Sequence, residues 1–202
     1  MSANCNKAFQ LSLESLRDKK RLSRNAGLAL LGAGSDLYKA LELAERGDGA
    51  AAARVYVVSA QAKLGGARGL LEDVLAILAT GTLRAGLPAW YRNLDYDRLY
   101  RTGVEQGALP HGSEVWQEIT GVLAQSGPLA LTEEFRARVA YTADLASEWL
   151  GTASDAGSAP GLLRLVTAVS DLTAFARYVG YVNDVEPLDA HWLRPAPAGD
   201  AA

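Results

Sequence analysis

Hydrophobic positions in this chain repeat with a helical period along its length. Small or apolar residues recur at Phe9, Leu13, Leu16, Gly27, Leu30, Gly34, Leu37, Leu41 and Ala44, with Lys20 and Ser23 in the same phase. A second series runs through Val57, Ala60, Leu64, Ala67, Leu71, Val74 and Leu78. Both advance by three and four residues, the spacing of a helix-on-helix seam. No convincing alternating run of β-branched residues interrupts them. Between them stands a turn, Arg46-Gly47-Asp48-Gly49. Gly47 suits the left-handed end of one helix and Asp48 the cap of the next. Folding the chain there pairs the two series so that facing residue numbers sum to 97 or 98. Leu41 then meets Val57, Leu37 meets Ala60, Gly34 meets Leu64, Leu30 meets Ala67 and Gly27 meets Leu71. A large side chain opposes a small one at most levels, which fills space without voids. The pattern predicts a long antiparallel helical hairpin over residues 6–80. Its second arm, of about 30 residues, spans roughly 45 Å. Asn25 and Gly27 make 23–27 the least helical part of the first arm.

The second half is punctuated differently. All seven prolines and all four tryptophans lie at or after position 88. Pro88 suits the first position of a helix over 88–106. Ser113 is placed to cap 114–125, with Val115, Trp116, Ile119, Val122 and Leu123 inward. Thr132 is placed to cap the next helix, which turns Phe135, Val139, Thr142, Ala146 and Trp149 to one face and pairs Glu134 with Arg138. Residues 151–161 read as a flexible connection. A last helix over 161–183 turns Leu162, Leu165, Val166, Val169, Leu172, Ala176 and Val179 inward. The expectation is an all-α bundle, in which a long N-terminal hairpin (1–87) packs with three or four shorter helices (88–186). A Pro/Ala-rich tail (187–202) is loosely ordered apart from Trp192.

The second arm holds an anomaly, AKLGGARGLLEDV, residues 62–74. Each helix glycine costs about 0.8–1 kcal/mol relative to alanine, so Gly65, Gly66 and Gly69 together cost roughly 3 kcal/mol. With Leu64 at zero on a helical wheel, the seam faces about 330° and the three glycines fall near 100°, 200° and 140°. Val55, Val58, Ala62 and Ala76 share their side, and Asp73 lies in its middle. Arg54, Gln61, Arg68 and Glu72 form a separate polar stripe. The arm therefore has two non-polar faces, and a face this smooth admits another backbone closely. The expected cover is the second half of the same chain or another subunit, with a basic group or amide near Asp73.

Composition narrows the possible chemistry. The 202 residues carry a formal net charge of −3, which gives no bulk attraction to nucleic acid or anionic membrane. The lone cysteine, Cys5, excludes an intramolecular disulfide framework and fits a reducing compartment. MSANCNKAFQ does not read as a signal peptide, and no run of 18 or more apolar residues occurs. A cytoplasmic location, without membrane contact, is expected. The Ala, Gly, Leu and Arg bias suggests a bacterial source. His111 and His191 are the only histidines, and no Glu-x-x-His, His-x-x-x-His or Cys-x-x-Cys motif accompanies them, so neither metal nor cofactor is expected. No Gly-x-Ser-x-Gly elbow is present. Gly27-Leu-Ala-Leu-Leu-Gly32-Ala-Gly34 lacks the lysine and the preceding strand of a phosphate loop.

Two clusters remain. Arg17, Lys19, Lys20, Arg21 and Arg24 form a basic run opposed by Asp18, read as a solvated face or as a patch for nucleic acid or an acidic partner. Trp90, Tyr91, Arg92, Tyr96, Arg98, Tyr100 and Arg101, with Asp95 and Asp97, have the composition of a binding hot spot or small-ligand pocket. They equally suit sealing of the joint between hairpin and second half, with Arg92–Tyr96 and Asp97–Arg101 paired at the surface. The favoured reading is a structural or protein-interaction subunit of a bacterial assembly, self-associating or binding a partner through helix faces. A ligand binder or metal-independent enzyme with a site near Trp90–Arg101 is the second reading. A nucleic-acid-associated module is the third.

Overall fold

A computed structural model of the chain describes residues 3–46, 50–109, 114–152, 159–185 and 189–194. They form α1 (Ala3–Glu45), α2 (Ala50–Leu78), α3 (Gly81–Gly86), α4 (Ala89–Arg92), α5 (Tyr96–Glu105), α6 (Glu114–Thr152), α7 (Ala159–Asp184) and a 3₁₀ turn, His191–Leu193. The fold is all-α, as the helical period requires. The turn at 47–49 and the cap at Ser113 lie outside the described residues.

The four long helices close into a ring, with α1 beside α2, α2 beside α6, α6 beside α7 and α7 beside α1. Cross-helix pairs fix their directions. Gln61 bonds Ser147 at 2.5 Å while Arg136 approaches Glu72 at 3.9 Å, so α2 and α6 run antiparallel. Arg164 donates to the Tyr141 hydroxyl and Phe135 meets Phe175 at 5.8 Å, so α6 and α7 do likewise. Asn183 donates to Ser23, and a side chain at Gly34 would meet Val169, which sets α1 against α7. This is an up-down-up-down four-helix bundle. The second half is thus more than a set of short helices, because α6, at 39 residues, nearly matches the 43 of α1.

The hairpin forms, with a corrected phase on its first arm. Lys63 pairs with Asp36 at 2.6 Å and reaches the Gly32 carbonyl at 3.5 Å, so it sits opposite residue 34, in the register that sums to 97. Ala26, Leu30, Ala33, Leu37 and Ala40 are fully buried, whereas Gly27, Gly34 and Leu41 are half-buried. The true levels are Ala26/Leu71, Leu30/Ala67, Ala33/Leu64, Leu37/Ala60 and Ala40/Val57, each a large side chain level with a small one. Gly34 instead lets α7 approach, through Val169. The first arm is unbroken across 23–27, because Ser23 and Ala26 face the core and hold that turn against α7.

α6 continues through Ser126-Gly127-Pro128 where two separate helices were expected. Proline within a helix forfeits a hydrogen bond and costs about 3 kcal/mol. Trp116 and Ile119 on one side and Leu131 and Phe135 on the other are buried, and their packing keeps one axis. Thr132 is buried in the middle of α6 and does not begin a helix. The expected 88–106 helix is two, separated at Asn93–Asp95, and the Asp95 carboxylate caps α5 by accepting the Arg98 amide at 2.9 Å.

α3, α4 and α5 gather at the end of the bundle where α1 begins and α7 finishes. Gly86 lies so close to α1 that an added Cβ would stand 2.4 Å from the Ala8 carbonyl oxygen. Ser12 completes that joint by donating to the Thr82 carbonyl at 2.7 Å. Gly103 is similarly pressed by Leu109 and Tyr181. The chain beyond α7 is anchored there by Ala190 and Leu193, both fully buried, while Trp192 is only half-buried. The described part of the tail is therefore held by Ala190 and Leu193, where the sequence reading pointed to the indole.

Gly86→Ala is expected to lower stability by about 1–3 kcal/mol, the usual cost of overpacking, in denaturant melts. An unchanged midpoint would refute the α1–α3 joint.

Candidate helix-docking face

α2 presents its seam to the core through Ala53, Val57, Ala60, Leu64, Ala67, Leu71 and Val74. Its opposite side carries Val55, Val58, Ala62, Gly65, Gly66, Gly69, Asp73 and Ala76, all exposed. Val55 is 67% and Val58 49% exposed. A Cβ built on Gly65, Gly66 or Gly69 would meet nothing within 4 Å. The expectation that the second half of the chain covers this strip is overturned. α6 packs beside α2 instead, along the polar stripe, through Gln61–Ser147 and Arg136–Glu72. A ring of four helices gives each helix two neighbours and leaves its outer side open, so the strip lies on the bundle surface. Asp73 is exposed and takes part in no ion pair among the described residues, where a basic group or an amide was expected beside it.

The aromatic and arginine cluster is spent on the joint between the short helices and the bundle. Tyr91 is buried and its hydroxyl donates to the Val185 carbonyl at the end of α7. Tyr100 stacks on Trp116 of α6 at 4.9 Å, and Trp116 meets Tyr178 of α7 at 5.8 Å. Trp90 sets its ring edge-on to Tyr91, and Arg98 lies over Trp192 at 5.9 Å. Burial raises the hydroxyl pKa of Tyr96. Arg101 is exposed and forms no ion pair with Asp97 among the described residues. The Arg92 side chain lies outside the described residues. The contacts described for this group run to α6, α7 and the tail.

The basic run also divides. Arg17, Arg21 and Arg24 are exposed, Arg21 pairs with Asp18 at 3.3 Å, and Lys20 reaches the Asp184 carboxylate at 4.0 Å. Lys19 faces the interior and is 5% exposed. It occupies the core phase between Leu16 and Ser23, one position from the Lys20 of the sequence reading. Lys19, Ser23 and Asn183 make a buried polar section of the α1–α7 seam. Sequence reading placed Ser23 in this phase but took Lys20 for the inward lysine, whereas the three-and-four spacing of Leu16, Lys19, Ser23 and Ala26 points to Lys19. Burial pulls the Lys19 ammonium pKa down to about 8, against the upward pull of Asp184.

An open cleft between α6 and α7 is lined by Trp149, Glu148, Thr152, Arg164 and Leu165. The Trp149 Nε1 is buried without a hydrogen-bond partner. Beside it, Tyr141 and Leu163 are 55% and 56% exposed. No group of three or more His, Cys, Asp or Glu side chains suits a metal ion, and no helix is long and apolar enough to cross a membrane, among the described residues.

No protein-family model, curated protein or solved structure matches the chain.

Two measurements test these placements. Gly65→Ala and Gly69→Ala should each stabilise the bundle by about 0.5–1 kcal/mol, because the added methyl meets nothing and the unfolded chain loses freedom. A loss of stability in dilute solution would show the strip to be covered within the chain. Lys19→Met should raise stability at pH 7 by up to about 3 kcal/mol. Below pH 8 the folded wild type carries the full burden of a buried charge. As pH rises from 8 towards 10.5 the unfolded chain holds the proton and the folded one does not, so wild-type stability gains and the difference narrows. A difference that stays flat from pH 7 to 10.5 would refute the buried ammonium.

Proposed function

We propose that this protein is an interaction subunit that docks a helix along the outer side of α2. The carrying observation is the open strip from Val55 to Ala76, where two exposed valines border three glycines with free space above them. The bundle does not need those glycines for its own packing. They forgo roughly 3 kcal/mol of helix propensity, and a second backbone settling into the space they leave accounts for that loss. An apolar strip left open on the outer side of a helix fits a protein interface. Dispersal of the aromatic cluster into structural contacts, and burial of Lys19 away from the other basic side chains, weaken the ligand-site and nucleic-acid readings. A bacterial cytoplasmic assembly remains the setting that composition suggests.

Protection of the strip in its native setting is the test. Ala62→Cys, in a Cys5→Ser background, should react quickly with a maleimide on the dilute purified chain. In intact cells at native expression it should react at least about tenfold more slowly than an exposed reference cysteine at Ser170, on the outer side of α7. Equal labelling of the two sites in cells would sink the docking function.

A further inference from the structure

We infer that the cleft between α6 and α7 binds a small apolar monocarboxylate, held by the Arg164 guanidinium and the Tyr141 hydroxyl. This site goes beyond the docking function and shares no residue with the strip on α2. The cleft has two lobes that meet at Leu145 and Arg164. The larger, an open groove of about 500 Å³, is walled by Tyr141, Leu145, Pro160, Leu163 and Ala168. That volume falls within the range of small-molecule sites. Tyr141 and Leu163 are each more than half exposed, so two large apolar side chains border the groove without burying themselves. The smaller lobe, of about 190 Å³, adds Trp149, Thr152 and Gly161.

Unused donors select the ligand. Arg164 donates to the Tyr141 hydroxyl at 3.1 Å and forms no ion pair among the described residues. The phenol accepts that bond and keeps its own proton free to donate. A guanidinium and an O–H side by side match the two oxygens of a carboxylate, and charge-assisted bonds of this kind are the strong ones. Trp149 lines the smaller lobe, and its indole N–H is buried without a partner. A buried donor left unmade is costly, so the cleft as a whole has more donors than its own chain satisfies. The first turn of α7, where Gly161 stands, adds the positive end of a 26-residue helix. Two acids set the limit. Glu148 lines the smaller lobe, and Asp171 the far part of the larger one, about 10 Å along α7 from Arg164. One negative charge on the ligand meets Arg164, and a second would be repelled by one of these carboxylates. The ligand class is therefore a monoanion with an apolar body, rather than a phosphate or a dicarboxylate.

The test uses the purified full-length chain, with octanoate as the probe and isothermal titration calorimetry as the readout. Octanoate should bind with a Kd below about 1 mM. Suberate, the dicarboxylate of the same chain length, octanol and inorganic phosphate should each bind at least about tenfold more weakly. Arg164→Gln should weaken octanoate binding at least about tenfold, while Arg24→Gln, at an exposed arginine of α1, leaves it unchanged. Tyr141→Phe keeps the ring and loses the hydroxyl, and should weaken binding about threefold. Arg164 and Tyr141 are exposed, so neither change should lower the melting temperature. Should Arg164→Gln fail to fold, Tyr141→Phe reads the same contact. A Kd above about 1 mM, octanol binding as tightly as octanoate, or binding indifferent to both variants would each overturn the inference.

Discussion

Everything in this molecule depends on the interlock between α1 and α2. Five successive levels set a leucine or valine beside an alanine, from Ala40/Val57 to Ala26/Leu71. Alternating volumes keep two long helices close without voids, and close-packed interiors resist sliding by even one methylene. That fixed register settles which side of each helix is left over. On α1 the flanks take Val169 and Asn183 of α7. On α2 one flank takes the Asp36–Lys63 pair and the other takes α6. The outer strip of α2 is what remains, and its smoothness is therefore a property independent of the core.

Much of this was legible in the residues. The hairpin, its register and the core face of α2 follow from spacing alone, because each is a local pattern repeated many times. At Gly27, Gly34 and Leu41 the phase of α1 was misread by one position, while Leu30 and Leu37 were placed at their true levels. Glycine and alanine both count as small, so Gly27 and Ala26, or Gly34 and Ala33, compete for the same level. The contact with α7 that settles the matter is invisible in a pairing of α1 with α2. The same reason explains Lys19. A lysine next to four other basic residues reads as surface until a neighbour on α7 buries it.

The second half was harder because local signals lost to tertiary ones. Pro128 and Thr132 carry the signature of a boundary, yet buried aromatics on both sides hold α6 as one rod. In 88–106 the reverse occurred. A continuous helical pattern divides because Asp95 finds a better position as a cap and the chain must turn to reach α6. The Trp, Tyr and Arg residues of this stretch have the composition of a binding site, but composition does not say whether such side chains face a visitor or their own fold. The glycine strip reads in the sequence as a second non-polar face, and the structure leaves it exposed. A smooth surface specifies how near a neighbour can come and not which chain it belongs to.

The crowded end of the bundle has a kinetic consequence. The α1–α2 and α6–α7 pairs each join segments that follow one another in sequence, so each closes a short loop. The end where Ser12, Gly86, Tyr91 and Leu193 meet joins distant parts of the chain, and the Ser23–Asn183 bond spans 160 residues. Loop closure over such separations is entropically slow, and contacts of this kind form after local ones. The two hairpins are thus assembly units, and the short helices with the tail are the clasp that forms last. Until it does, the indole of Trp116 and the phenol of Tyr91 stay in water, and their emission should follow the final step of folding.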